Sequence, residues 1–141
     1  MVIDTSALVA LLAGEPDAPR IAAAIEQARQ RRVPAIVRLE AAMVLSSALD
    51  RDPDEMATVI ADALDEARFE SVAIDDDIAR AAVTVFARYG KGRGHPARLN
   101  LADCLIYAAA KAADAPLLFI GDDFSRTDIA SVLSDPRPTA A

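Results

Sequence analysis

Residues 100–123 read NLADCLIYAAAKAADAPLLFIGDD, a helix followed by a short strand. Asn100 is a residue that caps helices, and the apolar segment LADCLIYAAAKAA after it has helical composition. Pro116 stops the helix and starts LLFI, a short run of bulky apolar residues that reads as a buried strand and ends at Gly121, Asp122 and Asp123. The same alternation recurs along the rest of the chain. Val2 and Ile3 form a short strand, Thr5 and Ser6 supply capping hydroxyls, and a helix runs from about Ala7 until Gly14 and Pro16 break it. A second helix over residues 18–30 places Ile21 and Ile25 one turn apart. Residues 33–36 form a strand, and VRLEAAMVLSSAL is a helix with Leu39, Met43 and Leu49 among its apolar positions, ended or restarted at Pro53. Residues 54–67 continue in helical period, residues 71–74 make a strand, and Asp75 to Asp77 supply the acidic first turn of a helix reaching Tyr89. Short apolar strands alternating with helices indicate an α/β fold with a mainly parallel central sheet flanked by helices.

The 141 residues carry 15 Lys plus Arg against 22 Asp plus Glu, a net charge of −7. That length is one domain, expected over residues 1–133, with SDPRPTAA at 134–141 a fraying tail. The single cysteine, Cys104, excludes an intramolecular disulfide and a Cys-based zinc site, and it reads as a small buried hydrophobe in a reducing compartment. No apolar run reaches the ~18 residues that span a bilayer. Asp4 interrupts the opening apolar stretch and no basic residue precedes Arg20, so a secretory signal is not expected and the cytoplasm is.

An acidic total argues against indiscriminate coating of nucleic acid, but the charge is uneven. Between Asp77 and Asp103 there is no acidic residue, while Arg80, Arg88, Lys91, Arg93 and Arg98 fall in the gap together with His95, the only histidine. The loop GKGRGHPAR has three glycines, yet it matches neither the dinucleotide fingerprint nor the P-loop. Its reading is a flexible backbone beside phosphate-seeking charge, which makes Lys91, Arg93, His95 and Arg98 candidate RNA contacts; the competing reading is an ordinary solvated loop. An acidic chain with one basic stretch suggests a carboxylate pocket beside a phosphate-contacting rim.

Five acids stand where that pocket would form. Asp4 and the pair Asp122 and Asp123 lie at strand ends, where ligands gather in parallel sheets, and Glu40 and Asp103 lie on helices. Each has an ordinary explanation when taken alone. Asp4 could cap the first helix, Asp103 could complete a capping box with Asn100, Glu40 could face solvent, and the Asp pair could be turn residues.

Four separated segments in order carry a more specific signal: VIDTSALVALL, the LEA around Glu40, GKGRGHPARLNLADCLIYAAAK, and PLLFIGDDFSRTDI. With them the chain resembles the PIN-domain ribonucleases and, within these, the VapC toxins of VapBC toxin–antitoxin systems, over almost its whole length to about Ile129. The resemblance implies a PIN-like three-layer fold, metal-dependent cleavage of RNA, silencing by a bound VapB antitoxin and self-association into a homodimer. Carried over residue by residue, the family's first acid falls on Asp4, its helical Glu on Glu40 and its third acid on Asp103. The fourth falls on Asp122 or Asp123, a register the sequence leaves open. The metal set is then Asp4, Glu40, Asp103 and Asp123, with Asp122 also a catalytic candidate, and Thr5 and Ser6 match a hydroxyl position that supports Asp4. The resemblance also implies a groove at or near the first two helices, which carry Leu8, Leu11, Leu12, Ile21 and Ile25, for an amphipathic antitoxin segment.

The physical logic is independent of the name. Carboxylates converging on one pocket either take up protons or collect cations. With one His and one Cys in the chain, an all-oxygen site suits Mg²⁺ or Mn²⁺. Two other classes compete. A phosphatase with Asp4 as nucleophile wants a second Asp where Ser6 stands, and a non-catalytic module would keep the fold but only bind RNA or protein.

Overall fold

The computed structural model describes residues 1–133. Its elements in chain order are β1 (Val2–Ile3), α1 (Thr5–Leu12), α2 (Ala18–Gln27), β2 (Arg32–Pro34), α3 (Ala35–Leu49), α4 (Pro53–Glu66), β3 (Glu70–Val72), α5 (Asp76–Tyr89), α6 (Leu101–Ala112) and β4 (Leu117–Leu118). The strands form one sheet in the order β3-β2-β1-β4, and every pairing is parallel. The expected α/β fold with helices flanking a parallel sheet is what the chain adopts. The expected 134–141 tail lies outside the described residues.

The order of the sheet matters most for function. First and last strands are neighbours, with Val2 opposite Leu117 and Ile3 opposite Leu118. The Asp4 amide donates to the Leu118 carbonyl at 2.9 Å, so the residues leaving β1 and β4 emerge side by side at the carboxyl edge. Both strands are wholly buried.

Several boundaries differ from the sequence reading, each for a local reason. The first helix begins at Thr5 rather than Ala7, because Asp4 takes the cap position and accepts the Ser6 amide. α2 stops at Gln27, and Ala28 turns extended; Arg31 reaches back to bond the Glu26 and Ala28 carbonyls and crosses to that of Ala67. β2 ends at Pro34, whose missing N–H cannot extend the ladder, and Ile36 belongs to α3. β3 covers Glu70–Val72 rather than residues 71–74, and β4 is only Leu117–Leu118 because the Ile120 amide leaves the ladder to bond the Ser6 hydroxyl at 3.1 Å.

The core also refines the helix faces. In α3 the inward stripe is Val37, Ala41 and Leu45 at spacing four, so Leu39, Met43 and Leu49 point outward. α4 packs against α3 with Met56, Ile60 and Leu64 on its buried face. On α1 and α2, Leu8, Ile21 and Ile25 are buried and Leu11 and Leu12 half-buried, so most of this apolar surface is core; large apolar residues are exposed on α3 and, with Val83, Phe86 and Leu101, across α5 and α6. Cys104 is buried, as its apolar surroundings required. Among the described residues no helix is long and apolar enough to cross a membrane.

Candidate metal centre and nucleic-acid rim

Asp4 performs the ordinary role and remains available for chemistry. As the cap of α1 it holds extended backbone, φ −88° and ψ 158°, and its Oδ2 accepts from the Ser6 amide at 3.0 Å and from the Ser6 hydroxyl at 2.6 Å. The Ser6 hydroxyl in turn accepts the Ile120 amide, which ties the Asp4 carboxylate to the chain leaving β4. Asp103 repeats the device on α6. Its Oδ2 accepts the Asn100 amide at 3.0 Å while the Asn100 side chain accepts the Asp103 amide at 2.9 Å, a complete capping box. In both residues Oδ2 is spent on the cap and Oδ1 takes no donor from the described residues. The cap orients the carboxylate, so structural and chemical readings coexist.

Thr5 works on a different partner from the one its position suggested. Its hydroxyl donates to Glu40 Oε1 at 2.5 Å rather than to Asp4, so consecutive hydroxyls serve different acids: Ser6 holds Asp4 and Thr5 holds the half-buried Glu40 on α3. Glu40 is therefore turned toward the Asp4 edge instead of outward like its neighbour Leu39.

Burial and mutual repulsion shape the acids. Asp4 is 5% exposed and Asp103 8% exposed. Burial pushes the Asp4 carboxyl up to about 6, opposed by the Ser6 hydrogen bonds and reinforced by the charge of Glu40. Burial pushes Asp103 up to about 7, opposed by the Asn100 amide and reinforced by Asp4, Asp123 and Glu40. Asp4, Glu40, Asp103 and Asp123 thus share one electrostatic neighbourhood. Asp122 and Asp123 are both exposed, and the Asp122 carbonyl accepts the Ser125 hydroxyl. Among the described residues none of the four acids is ion-paired, and no three of them are already gathered into a ready-made metal cage. Unpaired, mutually repelling carboxylates with free oxygens, on fixed backbones, fit a hard divalent cation that draws them together.

The basic stretch divides. Arg80 pairs with Asp76 at 2.7 Å and Arg88 with Asp128 at 3.8 Å, whereas Lys91, Arg93 and Arg98 pair with no acid among the described residues. Their loop is closed at its base by the Lys91 amide on the Leu99 carbonyl and the Leu99 amide on the Tyr89 carbonyl, both 2.9 Å. Gly92 and Gly94 take φ of 85° and 82°, a conformation that side chains resist. His95 is half-buried; its Nδ1 accepts the Ala97 amide at 3.0 Å and its ring meets Tyr89 edge-on at 4.7 Å. That geometry makes His95 a brace of the loop. Lys91 and Arg98, with Pro96 and Ala97, line a hollow of about 340 Å³ whose other wall is Asp122, Asp123 and Arg126. Arg93 stays outside it. Sequence reasoning did not single out Arg126; the signal was a lone cation three residues beyond the acid pair.

Comparison with known proteins agrees with this architecture. The PIN domain family matches residues 1–130. Ribonuclease VapC30 of Mycobacterium tuberculosis is 44% identical over 132 residues, covering 94% of this chain and 98% of the relative. Among solved structures, the M. tuberculosis sarcin-ricin loop cleaving toxin VapC20 aligns with a TM-score of 0.71 at 14% identity, over 92% of this chain and 95% of that one. VapBC2 from Rickettsia felis, bound to a DNA fragment from their promoter, aligns with a TM-score of 0.63 at 17% identity, over 92% and 94%. The chain belongs to the PIN-domain family and, within it, to the VapC ribonucleases.

Proposed function

We propose that Asp4, Glu40, Asp103 and Asp123 hold a divalent cation, Mg²⁺ or Mn²⁺, with which this VapC-type endoribonuclease hydrolyses RNA phosphodiester bonds. The observation that carries the reading is that buried Asp4 and Asp103, both raised by burial, also feel each other's neighbours, Glu40 on Asp4 and Asp4, Asp123 and Glu40 on Asp103, and that none of the four has an ion-pair partner among the described residues. A bound divalent cation supplies polarisation of the phosphoryl group and acidification of water. The chain supplies the rest. Ser6 and the capping box hold Asp4 and Asp103 with one oxygen each turned free, Thr5 holds Glu40, and exposed Asp123, in the turn that follows β4, takes the fourth place, where it would help hold a cation or orient a water. Its neighbour Asp122 contributes charge to the rim of the hollow. Lys91 and Arg98 face the same hollow and draw in the RNA backbone.

Attack by water needs no 2′-hydroxyl, so the products carry a 5′-phosphate and a 3′-hydroxyl. In this reading the protein is a cytoplasmic toxin that pairs with itself and is held silent by a VapB antitoxin. The apolar patches exposed on α3 and across α5 and α6 are the surfaces available for these partners. An antitoxin arginine reaching the acids would replace the cation's charge.

The test compares wild type with Asp4→Asn on structured and unstructured RNA, with Mg²⁺ or Mn²⁺ and with chelator, and identifies the product ends. Cleavage only by wild type, and only with metal, is expected. Equal RNA loss from both proteins, activity untouched by chelation, or 2′,3′-cyclic phosphate ends would each overturn the proposal.

A further inference from the structure

We propose that Arg126 is a substrate-contacting residue whose guanidinium receives an RNA phosphate in the hollow between the 90–98 loop and the turn after β4; this rests on the nuclease reading and assigns that site one more residue. Three observations place it there. First, the hollow has a cationic side, Lys91, Arg98 and Arg126, and an acidic side, Asp122 and Asp123. The acidic side adjoins the metal-binding set, since the charge of Asp123 reaches Asp103. An anion seated on the cations therefore sits next to the reacting centre.

Second, the cations are not used up. Ion pairs among the described residues employ Arg20, Arg51, Arg80, Arg88 and Lys111, whereas Lys91, Arg98 and Arg126 make none, although two aspartates line the same hollow. Third, Arg126 is aimed. Its Nη1 donates to the Pro96 carbonyl at 3.3 Å across the hollow, which directs the guanidinium toward the loop and leaves its other donors for a ligand. A planar, partly preorganised fork suits a phosphate oxygen pair better than a flexible ammonium does.

Arg126 could instead act only as a strap that holds the loop through Pro96, and the experiment separates the two roles. In the cleavage-silent background Asp103→Asn, the affinity of a short fluorescein-labelled single-stranded RNA is measured across a salt series for Arg126, Arg126→Gln and Arg126→Ala. Both substitutions remove the charge and, being shorter than Arg, the bond to the Pro96 carbonyl; the salt slope separates the roles, because losing a strap leaves the number of phosphate contacts made by other cations unchanged. Both substitutions are expected to weaken binding about tenfold and to flatten the log affinity against log salt slope by about 0.7, one phosphate contact on a single strand. If Arg126→Gln and Arg126→Ala keep the parent's salt slope, whether or not affinity falls, Arg126 contacts no phosphate and the inference falls while the nuclease reading stands. If the parent binds no RNA at all, both fall together.

Discussion

Raising the pH from 5 to 8 in the presence of chelator is expected to destabilise the protein through Asp4, and Asp4→Asn is expected to abolish that part of the loss. Burial first, and then the charge of Glu40, lift the folded-state carboxyl from 3.8 to about 6 against the Ser6 hydrogen bonds. Because the folded value lies above the unfolded one, the stabilising contribution is complete below pH 3.8 and disappears as the pH rises through 6. Its full size is about 3 kcal/mol, of which about 1.4 kcal/mol is left to lose between pH 5 and pH 8. For a chain of this length that corresponds to roughly 5 °C in melting temperature. Asp103, lifted to about 7, acts in the same direction, and so does repulsion within a chain of net charge −7. The measured quantity is therefore the difference between wild type and Asp4→Asn in thermal or urea unfolding at each pH, which cancels the shared terms. Asn keeps an oxygen to accept both Ser6 donors, so the cap survives. Wild type should fall behind the variant by about 1.4 kcal/mol more at pH 8 than at pH 5, and Mn²⁺ should restore wild type at pH 8 with little effect on Asp4→Asn. Parallel pH curves for the two proteins would show that Asp4 is not a perturbed, buried carboxylate, and the electrostatic basis of the metal site would go with it.

Ser6→Ala removes a donor from Asp4 and leaves the Ile120 amide without its acceptor, so it is expected to cost about 1–3 kcal/mol in unfolding experiments and to raise the acid limb of the pH–rate profile; Thr5→Val, which frees only Glu40, is expected to lower metal affinity in calorimetry with a smaller change in stability. In RNA binding at varied salt, Lys91→Ala with Arg98→Ala is expected to reduce affinity and salt slope, whereas Arg93→Ala, outside the hollow, is expected to change both far less; equal effects would mean the loop acts as diffuse charge.

Much of the fold was legible because short apolar runs separated by breakers leave few arrangements. Pro116 before LLFI and Asn100 three residues before Asp103 each mark a boundary by backbone chemistry, and the structure places a cap or strand at both. Boundaries set by distant partners were not legible. β4 loses Phe119 and Ile120 to a hydroxyl 114 residues earlier, and α2 is cut short by an arginine that bonds carbonyls on two sides. The inward face of α3 was hidden as well, since alanines at 41 and 42 pack inside while Leu39 and Met43 stay out.

The sequence by itself determined which residue types carry the chemistry: five acids at strand ends and helices, one basic loop, and too little His or Cys for a softer metal. Their neighbours come from the sheet order, which a linear reading does not supply. Parallel pairing of the first and last strands brings Asp4 beside the chain that leads to Asp122 and Asp123, assigns Ser6 to Asp4 and Thr5 to Glu40, and sets Arg126 in the same hollow as Lys91 and Arg98. The reason is that charge and hydrogen bonding act over a few ångströms of space, and the sheet order sets those distances between residues more than a hundred positions apart in the chain.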